Sequence, residues 1–255
     1  MNYSSYRVKS IEKALQMLKL FTVDRPEFTL SELAESMGVH KSTAYRIAIT
    51  LAGGGFLRWN PRKGTYSLGL KILNLSSALM SSLELRVQAR PYLEKLASKI
   101  NETVHLGVLD QDEVVYIDKI EARRSIRIFS DIGKRAPCHC TALGKVLLAD
   151  LPPETVRSIL LKKGMKCYTA NTLTSISEFL EHLETVRRNG YALDLEEHEP
   201  LVYCIAVPIR DFSRRTIATL SLTMIIKNYS EGCLAPYIPV LKEAGAKISA
   251  EMGFI

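Results

Sequence analysis

The chain of 255 residues contains no run approaching the ~20 consecutive apolar residues that a membrane-spanning helix needs. Its opening stretch, "MNYSSYRVKS", lacks the apolar core and cleavage site of a secretory signal. Cysteines number only five: Cys138, Cys140, Cys167, Cys204 and Cys233. An odd and mostly isolated set argues against a disulfide framework and points to free thiols in a reducing compartment. Internal repeats and low-complexity tracts are missing as well. A folded chain in the cytoplasm, without membrane contact, is the expectation.

Catalytic and metal-binding signatures are equally thin. The "CHC" at 138–140 has no second half-site, so no metal is expected there, and the two thiols are read as buried on either side of His139. Nothing in the sequence positions a partner that would activate a nucleophilic cysteine. "LGKV" at 143–146 has the Gly-Lys of a phosphate loop but neither the upstream glycine nor the following Ser or Thr. The "DLEEHE" run at 194–199 reads as a solvated, carboxylate-rich loop. Neither a cofactor nor an enzymatic activity is expected.

What the chain does have is charge in one place. Residues 1–80 hold 11 Lys and Arg against 5 Asp and Glu, a net +6, whereas the remaining 175 residues hold 23 against 22, a net +1. A basic segment on an otherwise neutral chain is the footprint of polyanion binding. The same segment carries three helical patterns. "SIEKALQMLKLF" puts Ile11, Ala14, Leu15, Leu18 and Phe21 on one face, predicted to be buried, with Ser10 as N-cap. "TLSELAESMG" has the T-x-x-E spacing of a capping box at Thr29 and Glu32, an inner stripe of Leu30, Leu33, Ala34 and Met37, and Gly38 at the C-terminal stop. After Val39 and His40, "KSTAYRIAITLAGGGF" gives a third helix burying Ala44, Ile47 and Leu51. Two β-prone runs, "FLRW" and "TYSLG", then flank the turn "NPRKG".

A helix-turn-helix followed by a basic hairpin is a winged helix, and its polar third helix suits the DNA major groove. Ser42, Thr43, Tyr45 and Arg46 are expected on the DNA-facing side, Lys41 on phosphate, and Arg62 and Lys63 on the wing. Thr29, Ser31 and His40, at the starts of the two helices, complete the expected set. Beyond it, residues 70–89 read as one helix ending before Pro91, "RPYLEKLASKINE" as an amphipathic helix, and "TVHLGVLDQDEVVYIDKIEA" as two strands around a turn. "SIRIFSDIG" reads as a further strand, "TALGKVLLADL" and "SEFLEHLETVRRNGY" as helices, "VYCIAVPIRDFSRRTIATLSLTMI" as a hairpin, and 236–252 as a last helix. Hairpins mixed with helices suggest a largely antiparallel sheet in a layered domain able to enclose a pocket.

Together "VKSIEKAL", "LSELAESMGVHKSTAYRI", "GTYSLGLKIL", "ARPYLEKLASKINETVHLGVLD", "HCTALGKVLLA" and "GYALDLEEHEPLVYCIAVPI" make the whole chain resemble the IclR family of bacterial transcription regulators. The resemblance implies an α+β chain with a winged helix-turn-helix over 1–69, a linker and dimerisation helix over 70–88, and a GAF-like effector-binding domain over 89–255. It implies an effector pocket lined by Ala142, Leu143, Asp194, Cys204, Ala206, Ser221 and Thr223. Leu201 departs from the pattern, since family members commonly carry glycine in the loop that here reads "EPLVYC". The expected function is a repressor of a catabolic or metabolic operon that binds palindromic double-stranded DNA as a homodimer or tetramer. Its expected effector is a small metabolite or an aromatic or organic acid. Two other readings stand beside it: a cytoplasmic enzyme with an accessory DNA-binding domain, and an architectural DNA-binding protein. A second domain of roughly 165 residues with pocket-forming strands favours the regulator over the architectural protein.

Overall fold

The chain divides into two units, Met1–Ser82 and Leu83–Ile255. The computed structural model describes residues 8–122 and 130–254, the side chains of 80–82 excepted. The strand expected in "SIRIFSDIG" lies mostly outside the described residues.

In the first unit, α1 (Lys9–Lys19) is followed by β1 (Glu27–Thr29), α2 (Leu30–Ser36), α3 (Lys41–Gly53), β2 (Leu57–Asn60), β3 (Thr65–Leu68) and α4 (Leu70–Ser82). The T-x-x-E spacing forms its capping box: Glu32 N–H donates to Thr29 Oγ1, and Thr29 N–H donates to the Glu32 carboxylate at 2.7 Å. Gly38 ends the second helix at φ +61°, where an L side chain would be strained. The wing strands pair antiparallel, and β1 adds to β3 to give the order β1-β3-β2. Met17, Phe21, Phe28, Leu33, Met37, Ala44, Ala48, Leu57 and Tyr66 form the core of this unit.

The predicted inner face of α1 is corrected. Ile11 and Leu15 are 58% and 52% exposed and Ala14 and Leu18 half-buried, while Met17 and Phe21 anchor the helix. Its N-cap is Val8, without a side-chain cap, rather than Ser10. Within α3 the core is met by Ala44 and Ala48, with Ile47 and Leu51 only half-buried.

The helix expected over 70–88 is two helices. α4 stops at Ser82, Leu83 is non-helical at φ −80°, ψ 87°, and α5 (Glu84–Ile100) runs straight through Pro91. Proline disfavours helical backbone at the residue before it, yet Arg90 is fixed by ion pairs to Glu94 at 2.9 Å and to the fully buried Asp118 at 2.8 Å. Ala89, Leu93, Leu96 and Ala97 seat the helix on the core. Tertiary contacts therefore outweigh the local breaker.

The second unit continues with β4 (Thr103–Asp110), β5 (Glu113–Ile120), β6 (Arg135–Ala136), α6 (Ala142–Ala149), α7 (Pro153–Lys163), α8 (Ile176–Asn189), β7 (Ala192–Leu195), β8 (Val202–Arg210), β9 (Thr216–Ile225) and α9 (Tyr237–Glu251). Its strands form an antiparallel sheet of order β6-β5-β4-β9-β8-β7. Period-two alternation sends Tyr203, Ile205, Val207 and Ile209 of β8, and Ala218, Leu220, Leu222 and Met224 of β9, into a core shared with α5 and α9. The opposite face packs on α6, α7 and α8. The result is an α/β/α sandwich, with Cys204 and Ala206 of β8 among the intervening positions turned toward α6, α7 and α8. No helix among the described residues is long and apolar enough to cross a membrane.

Candidate functional site

Each unit carries one candidate site. In the first, Val39 and His40 carry the chain from α2 into α3, and His40 caps α3 by accepting from Ser42 N–H at 3.3 Å. Lys41, Ser42, Tyr45 and Arg46 are exposed along the helix, and Thr43 is half-buried toward α1. Ser31 is exposed on α2, whereas the Thr29 hydroxyl is engaged in the capping box. Asn60 Oδ1 accepts Arg62 N–H at 3.1 Å and shapes the wing turn, which Gly64 closes at φ +67°. Arg62 is exposed at the tip, and Lys63 pairs with Glu27 at 3.0 Å. The exposed Arg58 and Trp59 of β2 were missed by the sequence reading, and Trp59 packs on Tyr66 with ring centroids 4.7 Å apart.

In the second unit, two rungs of the sheet collect polar side chains on the face toward α6. Asp194, Cys204 and Thr223 pair across β7, β8 and β9 in one rung, and His105 and Ser221 pair across β4 and β9 in the next. These five, with Thr141, Ala142 and Leu143 at the start of α6, line a narrow cavity of about 50 Å³. Lys134, Arg135, His198 and Glu199 stand at the same cavity. Ala206 does not line it: it is fully buried in the apolar layer beneath α6, beside Ala192.

The wall is a connected polar chain. His105 Nε2 meets Ser130 Oγ at 2.6 Å, His105 Nδ1 meets Thr223 Oγ1 at 3.2 Å, and the Cys204 thiol donates to Thr223 Oγ1 at 3.4 Å. Burial, aided by the Lys119 charge, holds the His105 imidazole down at about 3, so it is neutral at physiological pH. Burial pushes the Asp194 carboxyl up to about 7. The Glu197 charge adds to the rise, while the Glu197 backbone N–H, donating to Oδ1 at 2.8 Å, and Lys145 oppose it. Ser221 Oγ is buried without a hydrogen-bond partner, an unusual state for a hydroxyl in a folded core. Sequence reasoning missed His105, Tyr116 and Ser130. The available signal was a lone histidine in the alternating strand "TVHLGV".

The "DLEEHE" run is not a solvated loop throughout. Asp194 and Glu197 are buried, and the fully buried Lys145 reaches the Glu197 carboxylate and the Leu193 carbonyl. An ion pair between α6 and the segment that follows β7 supplies the compensation that burial of two charges requires. The five cysteines are free, and burial raises the Cys138 thiol to about 12. His139 bonds the Lys166 carbonyl at 3.0 Å. Among the described residues no three His, Cys, Asp or Glu side chains gather as metal ligands.

Residues 77–250 match the family described as Bacterial transcriptional regulator IclR C-terminal, and residues 10–61 match the IclR helix-turn-helix domain. The chain is 36% identical over 247 residues to the HTH-type transcriptional regulator XynR of Escherichia coli (strain K12), covering 97% of this chain and 98% of that protein. The crystal structure of the Thermotoga maritima IclR superposes with TM-score 0.79 at 31% identity, covering 97% of this chain and all of the other. An IclR homolog from Microbacterium hydrocarbonoxydans, crystallised with 4-hydroxybenzoate, superposes with TM-score 0.84 at 27% identity over 95% of this chain and 98% of that one. The matched families and relatives are transcriptional regulators rather than enzymes, so the reading as an enzyme with an accessory DNA-binding domain is set aside.

Proposed function

The chain belongs to the IclR family of bacterial transcriptional regulators and is a DNA-binding regulator; from that premise we propose that it is a cytoplasmic, effector-controlled repressor of a metabolic operon, gated by a hydroxylated carboxylic acid. The helix α3 enters the major groove of a palindromic operator, with Ser42, Tyr45 and Arg46 toward the bases. Lys41, Thr43, Ser31, Thr29 and His40 flank it, and Arg62 and Lys63 of the wing lie against phosphate. The net +6 of residues 1–80 supports this reading. A homodimer, or a tetramer of two dimers, presents two copies of α3 to the two half-sites. Leu70, Leu73 and Leu79, between 59% and 79% exposed on α4, are the apolar seam available for it.

The observation that carries the effector reading is the polar double rung facing the start of α6, with the Ser221 hydroxyl buried and unpaired within it. A ligand hydroxyl satisfies Ser221, and the Thr223–His105–Ser130 chain passes donor and acceptor roles around it. A ligand carboxylate suits the N-terminus of α6 at Ala142 and Leu143, where the helix dipole favours negative charge, with Lys134 and Arg135 near the same space. Asp194 and Cys204 orient the remaining polar groups. Because the cavity is narrow, a metabolite must part its walls, so ligand binding selects a conformation and changes DNA affinity only through unequal affinity for two states.

The test is calorimetry of full-length Ser221→Ala and Thr223→Ala against a panel of hydroxylated carboxylic acids that includes 4-hydroxybenzoate, with operator affinity measured in parallel. Loss of binding with normal but unresponsive DNA affinity supports the pocket. Wild-type binding in both variants places the effector elsewhere.

A further inference from the structure

Along α3, residues 42, 46, 49 and 53 share the outermost face, spaced by four, three and four. Ser42 and Arg46 belong to the DNA-facing set already described. The third position is Ile49, a large apolar side chain that is 51% exposed. The core beneath α3 does not hold it: that core takes Ala44 and Ala48, with Ile47, Leu51 and Ala52 packed at its edge. Polar groups are scarce around it. The Thr50 hydroxyl donates to the Arg46 carbonyl at 2.7 Å, leaving its methyl as the group free for other contacts. Gly53 has no side chain to offer. Toward the wing, Ile49 borders a depression lined by Leu30, Tyr45, Ala52, Trp59 and Tyr66, with no charged side chain among them. The first half of α3 therefore presents hydroxyls and cations, and the second half an apolar surface.

The floor of the major groove carries one apolar group, the C5-methyl of thymine. We infer that Ile49, assisted by the Thr50 methyl, determines operator specificity by packing on a thymine methyl in each half-site, beside the base read by Arg46. The inference rests on the placement of α3 in the major groove. A protein partner on Ile49 is the competing occupant, and the position of Ile49 between Arg46 and Gly53, on the basic unit, favours DNA.

Deoxyuridine differs from thymidine only by that methyl, which makes the contact directly testable. An operator is first selected from a random duplex pool with the full-length protein. Each thymine of the site is then replaced in turn by deoxyuridine, and affinity is measured at fixed salt for wild type, Ile49→Ala, Ile49→Val and Arg46→Ala. One thymine per half-site is expected at which loss of the methyl weakens wild-type binding roughly fourfold, the factor that burial of one methyl-sized group supplies. Ile49→Ala is expected to bind the thymine site about as weakly and to be indifferent to the replacement at that position, with Ile49→Val intermediate. Unchanged methyl dependence in Ile49→Ala overturns the inference, as does a change in its oligomeric state by light scattering without any change in methyl dependence. If Arg46→Ala also keeps full specific affinity, the groove placement fails with it. If Arg46→Ala alone loses specific binding, only the methyl contact is refuted.

Discussion

Asp194 is 2% exposed, and its carboxyl is raised from the ordinary 3.8 to about 7, chiefly by burial. A group that binds its proton more tightly in the folded than in the unfolded chain makes stability fall as pH rises between those two values. The loss begins near pH 4 and is complete above about pH 7. At about 1.36 kcal/mol per pH unit, the interval from 3.8 to about 7 bounds the penalty at about 4 kcal/mol. Asp194→Asn removes the charge and keeps an oxygen for the Glu197 N–H now bonded at 2.8 Å. It gives up acceptor capacity toward the His198 backbone N–H, worth about 1 kcal/mol. The variant is therefore expected to be near wild-type stability at pH 4.5 and more stable by up to about 3 kcal/mol at pH 8. Urea unfolding followed by far-UV circular dichroism across this range checks it, with the fluorescence of Trp59, the chain's single tryptophan, identifying the transition of the first unit. Taking the difference between the two proteins at each pH cancels groups that titrate alike in both. A difference that stays flat from pH 4.5 to 8, or that grows in favour of the aspartate, refutes the reasoning.

Leu201 sits at φ +64°, a left-handed conformation that costs a side-chain-bearing residue about 1–2 kcal/mol. After the entropy that glycine loses on folding, Leu201→Gly is expected to gain up to about 1 kcal/mol by thermal unfolding. Gly144→Ala is expected to be severe, since a Cβ there would lie 2.3 Å from Cys138 Cα and 2.4 Å from its carbonyl oxygen. Losses of roughly 2–4 kcal/mol and impaired effector binding are the outcome to look for in melting curves and calorimetry. Arg62→Ala is expected to weaken binding to all DNA sequences alike and to lower the salt slope by about one, whereas Arg46→Ala relaxes specificity. Gel-shift titrations at several salt concentrations separate the two.

Features written in neighbouring residues were legible from sequence. The capping box at Thr29 and Glu32, the turn at Gly38, the wing around "NPRKG" and the Gln111–Asp112 turn between β4 and β5 are each specified within a few positions. Six of the seven expected pocket residues line the cavity, carried by family motifs rather than by any property of their spacing. What escaped depends on distant partners. α1 has an amphipathic pattern, but the helix leaves Ile11 and Leu15 exposed, because periodicity identifies an apolar face without naming what covers it. Pro91 reads as the boundary between two helices, yet α5 continues through it, with Arg90 paired to Asp118 across 28 residues. The three-residue β1 is too short for an alternating pattern to register. Glu197 and Lys145, 52 residues apart, bury each other's charge, which no local reading of "DLEEHE" contains.

The alternation of β4, β8 and β9 has a consequence for how such a regulator changes its ligand over generations. Along each strand, one set of letters spells the hydrophobic interior, and some of the letters between them, His105, Cys204, Ser221 and Thr223, spell the wall of the cavity. A substitution at 105, 204, 221 or 223 alters the cavity wall, the site proposed for the effector, while leaving the positions of Leu106, Ile205, Leu220 and Leu222 untouched. On the proposed function, chemical taste and the hydrophobic interior are thus inherited on separate, interleaved tracks, and a lineage acquires a new effector by single steps along the first of them.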